Sequence, residues 1–333
     1  MKKITPSLLS IFIALTSTQA RAEGEVVYAL SQQDVSTYFK EEADFYMWKV
    51  NKNAPEQGQP QCSNTYANIL NKGSMDIVYV MGYLDTAGET GSRVGADGTN
   101  YGVARSTDEA ISKAILTKLT EPCKKPTQKL CEFSILSQDK VVTKLSKSIE
   151  MLGHSVSVNI TLAYSSASEI YENNKTSLKD QQLLQTQQAE SLFLNGVKTA
   201  DIAFYNGHSR NGGGPDFAPP ILRKDNHTDY SQYLKTRPGI TKVLSALKER
   251  GDNNLILGLF SCSSNPHFSK RLLSVNSQQK LILSGDTIYT NESMIGSLGY
   301  LESIMRGLCG GDLTQAARQS DRTMYGFSEY NMN

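Results

Sequence analysis

Two apolar stretches decide the fold of this chain: residues 200–209 read ADIAFYNGHS, and residues 255–264 read LILGLFSCSS. Each contains a short, uninterrupted apolar run, which is typical of a strand that is buried on both faces. Such strands alternate with helices in a mostly parallel sheet that is covered on both sides. Each stretch also carries a residue with catalytic chemistry just after its apolar run, namely His208 in the first and Cys262 in the second.

The segments around these two runs continue the alternation of strands and helices. The predicted strands are Ile77–Gly82, Cys131–Leu136, Ser155–Tyr164, Asp201–Tyr205, Leu255–Phe260 and Leu281–Leu283. The predicted helices are Thr107–Leu119, Lys140–Leu152, Ser177–Leu194, Gly239–Glu249, Pro266–Leu273 and a long region from about Ser293 to Tyr325. The helix over Lys140–Leu152 is predicted because Val141, Leu145, Ile149 and Leu152 would share one face. We therefore predict an α/β fold whose mostly parallel sheet has helices on both faces.

The regularity of this pattern changes along the chain, and the change suggests a division into domains. Residues 131–333 carry the clear alternation and are predicted to form the main α/β domain. Residues 23–130 are less regular and include a polar linker rich in proline and glutamine at residues 51–61. We predict that this segment is an N-terminal α+β extension that packs on the main domain.

The first 22 residues have the layout of a signal peptide. Lys2 and Lys3 form a positive region, residues 8–15 (LLSIFIAL) are apolar, and Ala20-Arg21-Ala22 supplies the small residues that a signal peptidase reads. As a helix this apolar run is about 12 Å long, whereas the bilayer core is about 30 Å thick. We predict that residues 1–22 are removed, that the protein is exported to the periplasm or secreted, and that no integral membrane segment remains.

Export makes the five cysteines informative, because cysteines tend to pair in an oxidising compartment. Cys123 and Cys131 flank a short loop that contains Pro126, and we predict that they form a disulfide. Cys62 and Cys309 are then a possible second pair, although the sequence does not determine their connectivity. Cys262 is predicted to be a free thiol.

Composition excludes several functional classes. The 34 lysines and arginines nearly balance the 33 aspartates and glutamates, so the chain has no basic field to hold nucleic acid. The sequence contains no H-x-x-x-H, C-x-x-C or D-x-D-x-D spacing that predicts a metal site. The run Gly212-Gly213-Gly214 is not followed by the lysine of a phosphate-binding loop. We therefore predict no metal, no cofactor and no nucleic-acid partner.

His208 and Cys262 are 54 positions apart, which is the length of one strand–helix–strand crossover with its loops. Ligands bind at the carboxyl ends of parallel strands, and both residues follow such ends. A cysteine becomes an effective nucleophile when a neighbouring imidazole can take its proton. The pair therefore predicts acyl transfer through a covalent intermediate, with backbone N–H groups nearby to bind the oxyanion.

These two blocks resemble the caspase-like (clan CD) cysteine peptidases, in which one apolar strand delivers a histidine and the next delivers the cysteine. The segment SIMRGLCGGDLTQAARQSDR (Ser303–Arg322) is similar to the final helix of CHAT-type members. The resemblance covers roughly residues 131–325, with specific motifs in only about 45 of them. It implies a cysteine endopeptidase with a protein or peptide substrate.

Carried over residue by residue, the resemblance implies that Cys262 is the nucleophile and His208 the general acid and base. The backbone N–H groups of Ser209 and of Cys262 itself would bind the oxyanion. Ser209 stands where the family usually has glycine after the histidine. Phe260 stands where some members have an aspartate that selects basic substrates, so the resemblance implies no preference for arginine or lysine.

Two other functions fit the same residues. Gly207–Asn211 (GHSRN) imitates the G-x-S-x-G elbow of serine esterases and lipases, with Ser209 as nucleophile and His267 with Asp225 or Asp252 as partners. The prolines that follow oppose it, because the elbow should lead directly into a helix. The other alternative is a catalytically inactive caspase-like scaffold that binds a partner without cleaving it.

Overall fold

Eight strands form one sheet at the centre of the protein. In chain order they are β1 (Ser74–Met81), β2 (Ser134–Gln138), β3 (Val142–Met151), β4 (His154–Tyr164), β5 (Ile202–Asn206), β6 (Ile256–Phe260), β7 (Lys280–Ser284) and β8 (Phe327–Tyr330). Their order across the sheet is β2-β3-β4-β1-β5-β6-β7-β8. The five central strands from β4 to β7 are parallel, while β2, β3 and β8 pair antiparallel at the two margins. The predicted α/β class with a mostly parallel sheet is confirmed.

The structure is a computed structural model, and it describes residues 32–84, 107–167, 179–224, 228–317 and 326–333. The predicted signal peptide lies outside these residues. The described helices are α1 (Gln32–Asn53), α2 (Ala67–Lys72), α3 (Thr107–Thr120), α4 (Lys179–Thr199), α5 (Tyr230–Thr236), α6 (Pro238–Arg250), α7 (Ser264–Val275), α8 (Thr290–Met305) and α9 (Gly310–Ala317), with short 3₁₀ turns at Pro60–Asn64 and Arg210–Gly212. None of these helices is both long and apolar enough to cross a bilayer.

Helices cover both faces of the sheet, and each face has its own hydrophobic cluster. Alternate strand residues such as Phe204 and Phe260 pack against α1, α3 and α8. Their neighbours in sequence, such as Tyr205 and Leu259, pack on the other face against α4, α6 and α7. This division explains why β5 and β6 read as continuous apolar runs, because every side chain of both strands is buried.

The helix predicted over Lys140–Leu152 is wrong, because this segment forms the long strand β3. Its apolar residues recur at intervals of four, and four is compatible with both the helical period and the strand period of two. Leu145, Ile149 and Met151 are buried, while Lys144, Ser148 and Glu150 between them are exposed. The alternation within the strand is therefore the pattern that decides its structure, and antiparallel pairing with β4 stabilises it.

The structure places β1, from the segment predicted as an accessory extension, between β4 and β5. Residues Ser31–Asn333 consequently form a single compact unit, and the boundary predicted at residue 131 does not divide it. The sheet gives the physical reason, since β5 and β4 have no pairing with one another and are joined only through β1.

The long helical region predicted from Ser293 to Tyr325 is interrupted in the structure. Helix α8 ends at Met305, and Gly307 follows with a φ of 74°, a left-handed conformation that glycine adopts without strain. Helix α9 begins only at Gly310. Strand β8 follows the undescribed residues 318–325 and pairs with β7, and the sequence had offered no prediction for it.

The predicted Cys123–Cys131 disulfide is present in the structure, and Cys62 and Cys309, whose connectivity the sequence left open, are also bridged. Cys123 and Cys131 have Cα atoms 5.1 Å apart, and Cys62 and Cys309 have Cα atoms 5.5 Å apart. Cys262 is free, as predicted. The Cys62–Cys309 bridge links the 3₁₀ turn near the start of the described chain to the segment between α8 and α9.

Candidate active site

The register of β5 and β6 places His208 and Cys262 at the same edge of the sheet. The two strands are parallel neighbours, and Asn206 and Phe260, their last residues, are Cα partners. His208 and Cys262 each lie two residues beyond these partners. A hydrogen bond from Gly207 N to Phe260 O, 3.3 Å long, also joins the two strand ends. The predicted neighbourhood of the two strands is therefore confirmed.

The side chains of Cys262 and His208 both contact residues on the sheet face that α8 covers. The Cys262 thiol donates a hydrogen bond to the backbone carbonyl of Ile288, with 3.4 Å between Sγ and the oxygen. His208 interacts with the backbone of Leu84, which follows β1. Ile288 and Leu84 both pack in the hydrophobic cluster on this face.

The His208 imidazole is half-buried, and its Nε2 has no hydrogen-bond partner. Burial lowers the pKa of His208 to about 3, and the positive charge of Arg210 acts in the same direction. The backbone of Leu84 opposes this shift more weakly. The ring is therefore neutral at physiological pH, and one of its two nitrogens carries a lone pair.

Cys262 is half-buried and lies just before the amino-terminal end of α7. Such a helix end favours negative charge nearby, which suits a thiolate. No hydrogen bond joins the thiol to the imidazole, because Sγ is directed to Ile288 and Nε2 of His208 has no partner. The direct contact of thiol and imidazole stays a prediction.

The two backbone N–H groups predicted as oxyanion donors are unpaired within the described residues. Neither Ser209 N nor Cys262 N donates a hydrogen bond there, although their neighbours do. Ser261 N donates to Leu259 O at 3.1 Å, and Ser263 N donates to Asp286 O at 2.7 Å. The two N–H groups therefore have no partner among the described backbone carbonyls.

Two further polar side chains at this edge were not predicted from the sequence. Asn206 and Ser261 are almost fully buried, and the amide nitrogen Nδ2 of the first and the hydroxyl Oγ of the second have no hydrogen-bond partner. The Oδ1 atom of Asn206 accepts a hydrogen bond from Ser293, 2.6 Å long. Their signal in the sequence is a polar residue at or immediately after the end of a fully apolar strand.

A buried polar network holds the loop that carries His208. Arg210 Nε and the Tyr233 hydroxyl both donate to Asp216 Oδ2, at 2.9 and 2.8 Å. The Tyr205 hydroxyl donates to the backbone carbonyl of His208, at 3.1 Å. Because these partners belong to β5, α5 and the loop itself, the histidine is supported by rigid elements on more than one side.

The local structure disfavours the serine elbow. Ser209 is 4% exposed, and a three-residue 3₁₀ turn follows it instead of a helix. Asp252, one of the two predicted acids, is bonded to Arg250 and to Asn254 N just before β6, at the edge of the sheet opposite to Ser209. His267 lies beside Gly212, and the other predicted acid, Asp225, lies outside the described residues.

Among the described residues, no group of three or more histidine, cysteine, aspartate or glutamate side chains is arranged to hold a metal ion. The comparisons with known proteins add no functional assignment. No protein-family model, no curated protein and no solved structure matches this chain.

Proposed function

We propose that this protein is an exported cysteine endopeptidase of the caspase-like type, with Cys262 as nucleophile and His208 as general acid and base. The observation that carries the proposal is the matched position of the two residues, each two residues past paired ends of adjacent parallel strands. Polar atoms without partners concentrate at this edge, which is expected where a substrate supplies the missing hydrogen bonds. The two disulfides and the leader-like first 22 residues support export.

The proposed reaction has two steps. In the first, the Cys262 sulfur attacks the scissile carbonyl carbon while His208 takes the thiol proton and passes it to the leaving amine. The carbonyl oxygen becomes an oxyanion and accepts hydrogen bonds from the backbone N–H groups of Ser209 and Cys262. In the second step, His208 takes a proton from water, whose oxygen attacks the thioester carbonyl carbon. The carbon–sulfur bond then breaks, the carboxylic acid product leaves, and His208 returns the proton to the Cys262 sulfur.

This mechanism requires the thiol to leave the carbonyl of Ile288 and turn toward His208. Hydrogen bonds in catalytic sites are often long or misaligned until substrate binds. The thiol–carbonyl bond that must break is weak, because sulfur is a poor donor. A rotation of the cysteine side chain within the cleft is a small conformational step compared with a movement of the strands.

The same thiol–carbonyl bond favours the inactive scaffold as a second candidate. A cysteine held away from the histidine would bind a peptide without attacking it. The two candidates differ in thiol reactivity, since only the peptidase needs a thiolate that forms readily and is open to the cleft.

The test compares Cys262→Ala with Ser209→Ala, using a labelled unfolded protein and a peptide library as substrates. We expect Cys262→Ala to abolish hydrolysis with a change of about 1 kcal/mol in the free energy of unfolding. Ser209→Ala retains its backbone N–H and should keep nearly all activity.

Iodoacetamide labelling of the unmodified protein accompanies this test. Fast labelling of Cys262 together with peptide hydrolysis supports the peptidase. Hydrolysis that survives in Cys262→Ala, or that disappears only in Ser209→Ala, would refute it. A thiol that is unreactive in a protein that binds peptides without cleaving them would support the scaffold instead.

A further inference from the structure

The disulfide between Cys123 and Cys131 lies far from the cleft along the chain and has an unusual neighbour. The Lys147 ammonium on β3 is 3.5 Å from Cys123 Sγ and 3.8 Å from Cys131 Sγ. It also donates to the backbone carbonyls of Cys131 at 2.7 Å and of Lys129 at 3.3 Å. These carbonyl bonds hold the amine in position against both sulfur atoms.

Lys147 is half-buried, and this burial makes its contact with the sulfurs more significant. Burial lowers the pKa of Lys147, and the neighbouring Lys129 acts in the same direction, while the charges of Glu132 and Glu302 oppose the shift. A partly desolvated ammonium gains more from a nearby anion than an ammonium in open water does. A thiolate formed at either cysteine would be such an anion.

The two sulfur atoms differ in access. Cys123 is half-buried and lines a surface cavity of about 450 Å³, together with Lys124, Gln128 and Lys147. Cys131 is completely buried. An external thiolate can therefore reach Cys123, whereas Cys131 is protected and lies beside the cation that would stabilise it as a leaving group.

We propose that the Cys123–Cys131 disulfide is a thiol–disulfide exchange site for an external dithiol, with Lys147 as the residue that stabilises the departing thiolate. The inference is independent of the proposed peptidase, because it uses neither Cys262 nor His208. Disulfide exchange is faster when the leaving thiolate is stabilised and when the attacked sulfur is accessible.

The proposed exchange has two steps. A thiolate of the dithiol attacks Cys123 Sγ, forms a mixed disulfide, and breaks the bond to Cys131, whose sulfur leaves as a thiolate beside Lys147. The second thiol of the reductant, as a thiolate, then attacks the reductant's first sulfur, which is bonded to Cys123 Sγ in the mixed disulfide. This step closes the reductant's own disulfide and releases Cys123 as a thiolate. Two electrons pass from the dithiol, which becomes a disulfide, to the protein, whose two cysteines take up two protons as thiols.

The Cys62–Cys309 disulfide provides an internal reference. Within the described residues no amine or guanidinium makes a hydrogen bond to either of its sulfurs. Cys62 is 2% exposed and Cys309 is half-buried, and their bridge joins segments that are 247 positions apart. Since one sulfur of each bridge is half-buried, the two disulfides differ chiefly in the Lys147 ammonium beside Cys123 and Cys131. We expect native protein to resist reduction at this bridge.

The experiment measures the rate at which each disulfide of the full-length protein is reduced by dithiothreitol under native conditions, by alkylation and peptide mapping. In the unmodified protein Cys123–Cys131 should be reduced well before Cys62–Cys309. Lys147→Met should slow its reduction about tenfold, and Lys147→Arg should restore most of the rate. Lys144→Met, which removes an exposed lysine from the same strand, is the matched control and should have no effect.

The rate at which Cys62–Cys309 is reduced in each variant serves as the control for folding. In a variant that fails to fold, both disulfides should be reduced together. In that case Lys147→Gln, which keeps a donor for the carbonyls of Cys131 and Lys129, replaces Lys147→Met with the same expected slowing. An unchanged rate in folded Lys147→Met or Lys147→Gln would overturn the proposal. Reduction of both bridges at equal rates in the unmodified protein would also overturn it.

Discussion

Two clusters of buried polar side chains differ in how completely their hydrogen bonds are made. In the first, Glu302 of α8 accepts hydrogen bonds from Arg306 Nε at 2.8 Å and from the backbone N–H groups of Lys129 and Leu130 at 3.0 and 2.8 Å. Arg306 also donates to the backbone carbonyl of Pro55 at 3.1 Å. The side chains of Glu302 and Arg306 are fully buried, and the cluster joins three segments of the chain.

In the second cluster, at the carboxyl ends of β5 and β6, the hydrogen bonds are incomplete. Asn206 Nδ2, His208 Nε2 and Ser261 Oγ have no partner. Leaving a buried polar group unpaired costs about 1–3 kcal/mol, so a fold retains several together only where something offsets that cost. The contrast shows that the Glu302 cluster is satisfied within the fold, and it supports the proposal that a substrate completes the strand-end cluster.

The largest expected effect is on catalysis at the incomplete cluster. His208→Ala should lower kcat/KM for peptide hydrolysis by about 10²–10⁴-fold, because it removes the proposed acid–base group. Stability at pH 7 should fall by only about 1 kcal/mol, because the variant loses the contact of the imidazole with the backbone of Leu84, while Nε2 makes no hydrogen bond. His154→Ala, at an exposed histidine, is the control. An unchanged kcat/KM in a folded His208→Ala protein would contradict the idea that the strand-end cluster is catalytic while the Glu302 cluster is structural.

Next in size is the effect of breaking the complete cluster. Glu302→Ala leaves the Arg306 guanidinium buried without its carboxylate, which should lower the free energy of unfolding by about 3–5 kcal/mol. Denaturation by urea measures this loss, and Glu150→Ala, at an exposed glutamate of β3, should change stability by less than about 0.5 kcal/mol. A loss in Glu302→Ala as small as in the control would show that the cluster does not hold the fold.

The smallest effect is a pH dependence at His208. Its pKa is about 3 in the folded protein against an ordinary value of 6.5, so between these values the unfolded chain binds more protons. The stabilisation is complete above pH 6.5 and is lost as the pH falls toward 3, by at most about 1.4 kcal/mol per pH unit.

Urea denaturation of the unmodified protein and of His208→Ala, at pH 7, 5.5 and 4.5, tests this prediction. The unmodified protein should lose stability relative to the variant as the pH falls. His267, whose pKa burial also lowers, is present in both proteins, so its contribution cancels in the difference. A difference that is constant from pH 7 to 4.5 would mean that His208 is not desolvated, and the strand-end cluster would lose its distinguishing property.

The sequence by itself determined the features that depend on local patterns. Fully apolar runs predict buried parallel strands wherever they occur, so β5 and β6 were found together with the residues just beyond their ends. The pairing of Cys123 and Cys131 was predicted because the two residues flank a short loop and can meet without contacts from distant segments. The layout of the first 22 residues, on which the prediction of export rests, and the balance of charges are likewise properties of composition and order.

Only the tertiary structure decided the features that depend on contacts between distant segments. The strand β3 was mistaken for a helix because a spacing of four residues fits both periods, and pairing with β4 resolves the ambiguity. Strand β1 lies at the centre of the sheet because it pairs with β4 on one side and β5 on the other, and both strands come later in the sequence. Three other features also depend on distant segments. They are the contact of Lys147 with two sulfurs, the complete hydrogen bonding of the Glu302 carboxylate, and the missing hydrogen-bond partners of Asn206 and Ser261. Whether a buried polar group is satisfied depends on which atoms surround it in space, and spacing along the chain does not carry that information.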